Sequence, residues 1–175
     1  MTAPEFSRIV RLDTIGSRPR AETIEADAGE RAALARRFGL IALDALAAEL
    51  TLVRDGDEVT LSGHLRAEAV QACVASGAPV PAKIDEPILI LFRPAPTDGH
   101  PDEEIELGEE EMDVVFHDGA AIDIGEAVAQ SLALALDPFP RSSAAEAALR
   151  EAGVKSEAEA GPFGALAGLR DKLKP

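Results

Sequence analysis

The sequence predicts an α+β fold, in which one or two helices pack on a twisted, mainly antiparallel sheet and a partly disordered C-terminal tail follows. Apolar and polar residues alternate along two segments that flank Asp55-Gly-Asp57, which is typical of a β-hairpin. After Asp123, apolar residues recur every fourth position, which indicates a helix. After Arg141 the composition turns to Ala, Glu, Ser and Gly, which bury little surface.

The first predicted elements are a strand over 6–15 and a helix over 28–38. Aliphatic residues mixed with arginines favour the strand, and a Gly-Ser-Arg-Pro-Arg segment ends it. The helix begins with the pattern of a capping box, because Asp27 stands three residues before Glu30. Gly39 is placed to end it.

The predicted hairpin follows this helix. Apolar residues occupy every second position from Leu46 to Leu52 and from Val59 to Ala69. Each arm therefore presents one apolar and one polar face, as in a sheet that is exposed to water on one side.

The second half of the chain predicts two more strands and the main helix. A strand over 84–92 is apolar on both faces, so it should be central or covered by a helix. A short edge strand is predicted over 114–116. In the helix over 123–136, Asp123 caps the first turn and Glu126 is placed to reach back to the cap. The buried stripe of this helix should consist of Val128, Leu132 and Leu136.

Length and composition predict one domain over 1–141 and a mobile tail over 142–175, with a short amphipathic helix at about 162–173. The single cysteine excludes an intramolecular disulfide, so a reducing cytoplasm is the expected location. The N-terminus lacks the apolar run of a signal peptide, and no segment approaches the roughly 20 apolar residues of a membrane span. No membrane association is expected.

The charge balance limits the possible partners. Seventeen basic residues against thirty-two acidic ones give a net charge of −15, which repels DNA, bare RNA and anionic membranes at long range. Any RNA contact should therefore be local or made through a partner protein. The acidic run from Asp102 to Asp113 fits either a solvated loop or a surface that binds divalent ions or a basic ribosomal protein.

The sequence offers little catalytic chemistry. On an extended strand, His64 would lie roughly 30 Å from Cys73, so we interpret this cysteine as structural. There is no nucleophile elbow, phosphate-binding loop or zinc-ligand spacing, so no catalytic residue, cofactor or metal is expected. The alternative is a metal-assisted hydrolase or nuclease. It requires at least two of His64, His117, Asp123 and Glu126 to converge in one pocket.

Two segments are candidate contact surfaces for a partner or for RNA. The first is a basic cluster whose guanidinium groups suit phosphate recognition, although a role in solubility is the alternative. The second follows the long helix, where two prolines hold the chain extended, so that it is either a structural stop or a rigid docking edge. The candidate residues are Arg8, Arg11, Arg18 and Arg20 in the first segment, and Asp137, Pro138, Pro140 and Arg141 in the second.

Three segments together resemble the YceD family, the large ribosomal RNA subunit accumulation proteins. They are Gln71–Pro79, Ile122–Arg141 and Gly161–Leu169. In relatives the first segment often reads Cys-x-x-Cys or Cys-x-x-Thr, whereas this chain has Cys73-Val-Ala-Ser76, so a metal half-site is missing. The positions that carry the resemblance are Cys73, Gly77, Pro79, Asp123, Gly125, Glu126 and Gln130.

The resemblance implies a function in accumulation or processing of 23S ribosomal RNA. The acidic composition and the lack of catalytic motifs indicate action by binding and not by catalysis. Such a protein would bind a ribosomal protein or a large-subunit assembly factor with its acidic surface while the arginine cluster touches RNA. A purely structural adaptor between assembly proteins, with no RNA contact, is the further alternative.

Overall fold

The computed structural model describes residues 4–95 and 113–154. Within these residues a mixed, mostly antiparallel five-stranded sheet, a separate two-stranded sheet and three α-helices form, which confirms the α+β prediction. In chain order the elements are β1 (Ile9–Arg11), β2 (Arg20–Glu25), α1 (Ala28–Phe38), β3 (Ala42–Asp55), β4 (Glu58–Ala72), β5 (Pro79–Pro94), β6 (Asp113–His117), β7 (Ala121–Asp123), α2 (Ile124–Ala135) and α3 (Ala145–Glu151).

The chain divides into two compact units. The first consists of Met1–Gln71 and Pro81–Asp137 and holds α1, α2 and nearly all of both sheets. The second consists of Ala72–Val80 and Pro138–Pro175 and holds α3, a helix that the sequence analysis did not predict. The single domain over 1–141 stays a prediction. The predicted helix at about 162–173, and the acidic run before Asp113, lie outside the described residues.

The five-stranded sheet has the order β2-β3-β4-β5-β6 and is built around the predicted hairpin, which is confirmed. Strands β3 and β4 pair antiparallel, with Leu52 opposite Leu61, and both side chains are buried. Gly63 in β4 has no room for a side chain, since an added Cβ would lie 2.0 Å from the carbonyl oxygen of Glu49. This close approach explains the one glycine in an otherwise regular arm.

Strand β3 contains a β-bulge at Asp44. Leu43 pairs with Ala69 and Ala45 pairs with Glu68, so Asp44 has no residue opposite it in β4. The extra residue shifts the alternation, which is why Leu43 and Leu46, three positions apart, are both buried. β3 begins at Ala42, before the alternating stretch from Leu46 on which the prediction was based, because the bulge interrupts the alternation.

The central strand and the two edge strands of the five-stranded sheet can also be compared with the predicted strands. β5 lies between β4 and β6, which confirms the predicted central strand. β6 is an edge strand as predicted and pairs with β5 in parallel, with Phe92 opposite Val115. β2, at the other edge, was not predicted, because Ile24 is the only one of its six residues that is fully buried.

The two-stranded sheet corrects the predicted opening strand over 6–15. Strand β1 spans only three residues, since a 3-10 turn at Leu12–Thr14 follows it directly. It pairs antiparallel with β7, with Ile9 opposite Asp123. Pairing across more than 100 residues leaves no local periodicity, so neither short strand could be recognised from the sequence.

The two long helices begin where they were predicted. In α1 the capping box of Asp27 and Glu30 is present, and Gly39 ends the helix in the left-handed conformation with φ of 66°. In α2, Val128 and Leu132 are fully buried with the core of the sheet, as the predicted stripe requires. Leu136 stands just past the helix end and is partly buried. No helix in the described part of the chain has the length and apolar character to cross a bilayer.

Candidate functional site

A cleft of about 340 Å³ lies between β6, β7 and the first turns of α2. Its apolar wall includes the buried side chains of Phe92, Ile122 and Ala127. The charged residues that line it are all acids among the described residues, and we therefore call it the acidic cleft. Its polar lining residues are His117, Asp118, Asp123, Glu126 and Gln130.

The acidic cleft brings together three of the four residues that the enzyme alternative requires. His117, Asp123 and Glu126 all line it. His64 does not; its side chain is exposed on the sheet, with Nδ1 3.5 Å from Oδ1 of Asp85. The convergence condition is therefore met, and the bonds that each of the three groups makes decide what they can do.

His117 is used as a structural connector. The Gly119 N–H donates to its Nδ1 at 3.0 Å, so Nδ1 carries no proton in this arrangement. The proton of the neutral ring then lies on Nε2, which donates to the carbonyl oxygen of Asp57 at 3.0 Å. The ring is buried and fastens the end of β6 to the β3–β4 turn, with neither nitrogen available for a substrate.

Asp123 also has a structural role, because both of its carboxylate oxygens accept hydrogen bonds. Its Oδ1 accepts from the backbone N–H groups of Gly125 and Glu126, each at 3.1 Å, which confirms the predicted cap of α2. The same oxygen accepts from the N–H of Arg8 at 2.8 Å, and Oδ2 accepts from the hydroxyl of Ser7 at 2.6 Å. The carboxylate thus joins the N-terminal segment to α2, a role that local sequence gave no means of predicting.

Gly125 is required by the same junction. A Cβ at this position would lie 2.7 Å from the carbonyl oxygen of Phe6 and 2.8 Å from the amide nitrogen of Arg8. Real Cβ atoms do not approach backbone atoms so closely, so only glycine lets α2 begin here. This contact gives a physical reason for a glycine at one of the resemblance positions.

Glu126 does not reach back to the cap, as the sequence pattern suggested. Its carboxylate binds Arg37 through two hydrogen bonds of 2.6 and 2.8 Å and accepts a third from Gln130 at 3.0 Å. The Arg37 guanidinium, followed by Gln130, lowers the pKa of Glu126. Arg37 also contacts Glu5 at 3.1 Å. Glu126 therefore holds α1 to α2 as an anion, which is unsuited to general-acid catalysis near neutral pH.

The remaining groups of the acidic cleft can bind a partner. Asp118 is exposed, and its Oδ1 accepts only from the N–H of Ala120, at 2.9 Å, among the described residues. Phe116 is also exposed, although it is a large apolar residue. Within the described residues no group of three or more His, Cys, Asp or Glu side chains is placed to hold a metal ion.

Three of the four arginines in the predicted basic cluster form ion pairs with carboxylates. Arg8 binds Glu30 at 2.6 Å and stacks on the Phe6 ring. The other pairs in this segment are Arg11 with Asp13 and Arg20 with Glu22, each at 2.6 Å. Arg18 is exposed and pairs with no described carboxylate. Contact of these four arginines with RNA stays a prediction.

Cys73 lies in the second unit, in a turn that the structure explains. Its side chain is only 3% exposed, in keeping with a structural cysteine. The Gly77 N–H donates to the Cys73 carbonyl oxygen at 2.8 Å, and Gly77 has a left-handed φ of 70° that favours glycine. The Cys73 N–H donates to the carbonyl oxygen of Ala78, next to Pro79.

Two serines surround the Cys73 thiol. The N–H of Ser142 donates to Sγ at 3.3 Å, and the hydroxyl groups of Ser76 and Ser142 are 3.3 Å apart. Hydrogen bonds from Ser142, followed by Ser76, lower the pKa of the Cys73 thiol to about 6. Ser76, three residues after Cys73, thus places a hydroxyl group beside the thiol.

The segment after α2 is fixed at two points. Gln71 donates from Nε2 to the carbonyl oxygen of Asp137 at 2.8 Å. In the second unit, the Val74 N–H donates to the carbonyl oxygen of Pro140, which is buried. Pro138, Phe139 and Arg141 are exposed, so Phe139 is not a core residue. Docking of a partner on this edge stays a prediction.

The molecule is thus an α+β protein with a mixed, mostly antiparallel five-stranded sheet and an acidic cleft beside its parallel edge strand. Residues 61–170 match the family model described as large ribosomal RNA subunit accumulation protein YceD. Because the match covers more than half of the 175 residues, the chain belongs to the YceD family. This is not a known enzyme family. Searches of curated proteins and of solved structures each gave no match.

Proposed function

We propose that this protein is a non-catalytic ribosome-assembly factor that supports accumulation or processing of 23S ribosomal RNA. In this proposal it binds a basic segment of a ribosomal protein or a large-subunit assembly factor in the acidic cleft. Membership of a family named for large ribosomal RNA accumulation supports the general process. The observation that carries the binding role is the structural use of His117, Asp123 and Glu126, which leaves these three groups unavailable for acid–base chemistry while the cleft keeps its charge and shape.

Charge favours a basic partner. Asp118, Asp123 and Glu126 line the acidic cleft, and no Lys or Arg in the described part of the chain does. The whole chain carries a net charge of −15, which attracts a cationic segment and repels an acidic one. Lys and Arg side chains pair an aliphatic stem with a charged end, so they suit an apolar wall beside an acidic rim.

The edge strand offers a second means of binding. β6 pairs with β5 along one side, and no described strand pairs with its other side. An extended peptide can add to such an edge through backbone hydrogen bonds. Phe116, in β6, then offers its ring to an aliphatic stem or, through the ring face, to a guanidinium group.

Complementation of depleted cells tests the acidic cleft. The double variant Phe116→Ser/Asp118→Asn removes the ring and the free charge but keeps an oxygen for the Ala120 N–H. The control Leu89→Ser/Glu86→Gln makes the same kinds of change at exposed positions outside the cleft. We expect the control to restore the ratio of large to small ribosomal subunits in sucrose gradients, and the cleft variant to fail at equal protein levels. Full restoration by the cleft variant would contradict binding at this site.

Two alternatives remain distinct from this proposal. The hydrolase alternative is motivated by the convergence of His117, Asp123 and Glu126 in one cleft, and hydrolysis of RNA by purified protein with added Mg²⁺ or Mn²⁺ that is lost in Glu126→Gln would establish it. A structural adaptor would capture the same protein partners from lysate with or without nuclease treatment. Under our proposal, nuclease removes only partners that are held through RNA.

A further inference from the structure

Four arginines of the described part of the chain form no ion pair with another described residue. They are Arg18, Arg31, Arg36 and Arg141. Carboxylates are not scarce, because the chain has thirty-two acids for seventeen bases. Arg36 and Arg37 are neighbours in sequence, yet only Arg37 is bound to carboxylates. Two neighbouring arginines without a carboxylate partner, in such an acidic protein, are therefore a candidate site for an anion from outside the described residues.

Arg31 and Arg36 are such a pair, since both line one cavity of about 390 Å³. We call it the α1–β3 pocket, because its walls come from α1 and from the beginning of β3. The Arg31 Nη1 donates to the carbonyl oxygen of Ala26 at 2.6 Å, which fixes the guanidinium and leaves its other N–H groups for a ligand. The buried side chain of Leu43 and the half-exposed side chain of Ile41 supply the apolar part of the wall.

The third polar group of the α1–β3 pocket is the carboxylate of Asp44. This residue is the extra residue of the β3 bulge, and bulges commonly direct a side chain into a functional position. Asp44 lines the pocket with Arg31 and Arg36 but forms no ion pair with either. The pocket thus offers two cationic donors and one anionic acceptor, separated by apolar surface.

We propose that the α1–β3 pocket binds one nucleotide of a single-stranded RNA. The phosphate accepts from the guanidinium groups of Arg31 and Arg36, and the ribose 2′-hydroxyl donates to Asp44. An acidic peptide fits less well, since its ionised side chains only accept hydrogen bonds and would lie against Asp44, whereas a nucleotide carries a hydroxyl donor close to its phosphate. The cavity volume lies in the range of small-molecule sites. A contact of this size is also the local kind of RNA contact that a net charge of −15 permits.

This inference rests on the proposed function, because a contact with single-stranded RNA serves a protein that acts near ribosomal RNA. The pocket is formed by residues 28–44, outside the region 61–170 that matches the family model. It is therefore argued from this chain's own residues. It also moves the RNA contact from the predicted arginine cluster at 8–20 to α1.

Fluorescence anisotropy of a labelled oligouridine with the full-length protein tests the pocket. Arg36→Gln is the main variant, because the exposed Arg36 side chain makes no ion pair to a described residue and its loss should leave the thermal melt unchanged. Arg31→Gln is the second. Arg150→Gln is the matched control, with the same change of charge at a side chain that is 80% exposed in the other unit.

We expect the double variant Arg31→Gln/Arg36→Gln to weaken oligouridine binding by about tenfold at low salt. Because both arginines hold the same phosphate, their joint loss should reduce the slope of log K against log salt by about 0.7, the value for one phosphate contact on a single strand. Asp44→Ala should reduce the preference for oligouridine over oligodeoxyuridine, since the 2′-hydroxyl loses its acceptor. Arg150→Gln should change neither quantity.

Three results would overturn the inference. One is oligouridine binding that is absent in the wild type or equally reduced by Arg150→Gln. Another is binding that is lost in Arg18→Gln but kept in Arg36→Gln, which would place the contact in the N-terminal cluster. A third is Arg36-dependent binding of a labelled oligoglutamate in place of oligouridine. None of these results depends on the acidic cleft, so the pocket can fail while the cleft variant still loses complementation.

Discussion

Leu132 is the side chain through which α2 contributes most clearly to the core, and replacing it by alanine tests the packing of the helix. Its side chain is fully buried with Val128 and the sheet. The change removes three carbon atoms, which corresponds to about 2.4 kcal/mol at about 0.8 kcal/mol per buried methylene. The cavity left behind adds to this loss, because a helix packed on a sheet collapses only partly. We therefore expect Leu132→Ala to lower the free energy of unfolding by about 3–4 kcal/mol.

Leu134 supplies a matched control two residues further along the same helix. Its side chain is 76% exposed, so Leu134→Ala deletes the same atoms at a position that faces solvent. This change should alter the free energy of unfolding by about 0.5 kcal/mol or less. Urea denaturation measures both, and the m-value should stay constant if only the native packing changes. Equal midpoints for Leu132→Ala and the wild type, or equal losses for the two variants, would refute the assignment of this face to the core.

Three further predictions test the junctions around α2 and the second unit. Glu126→Gln should cost about 1 kcal/mol at neutral pH, after allowance for solvent screening of the pair with Arg37. Arg37 stabilises only the ionised form and lowers the folded-state pKa of Glu126, so this contribution is present above the unfolded value of about 4.3 and is lost as the pH falls through the lower folded value. A difference between variant and wild type that grows in acid would contradict this sign. Gly125→Ala should destabilise by about 1–3 kcal/mol in thermal or urea melts, because the added Cβ meets backbone atoms, whereas Gly16→Ala, with nothing within 4 Å, should be close to neutral. The ultraviolet absorbance of the Cys73 thiolate, the single thiol of the chain, should rise with a pH midpoint near 6 and not at the usual value of about 8.5, and an ordinary midpoint would show that its hydrogen bonds do not stabilise the thiolate.

The parts of the fold that follow from the sequence are those with local signals. The hairpin follows from alternation, and α1 and α2 follow from Asp27 and Asp123, whose carboxylates cap the first turns. The two-stranded sheet has no such signal, because three residues of β1 depend on three of β7 far along the chain. β2 is hard to recognise for a related reason, since only Ile24 in it is buried.

The candidate site shows the same division. His117, Asp123 and Glu126 could be named from the sequence as candidates for one pocket, and they do line one cleft. Their bonds to distant partners could not be named; Glu126 binds Arg37, 89 residues away. The unpaired Arg36 was missed because nothing local distinguishes it from the paired Arg37. Whether an arginine finds a carboxylate is decided by tertiary structure.

The most direct test of the central claim is the ratio of large to small ribosomal subunits in cells depleted of this protein. Sucrose gradients should be run at low temperature as well as at the growth optimum, with re-expression of the wild-type protein as the control. We predict a lower proportion of large subunits and less mature 23S ribosomal RNA on depletion, both restored by re-expression. Equal ratios in depleted and normal cells at both temperatures would contradict a role in large-subunit RNA accumulation.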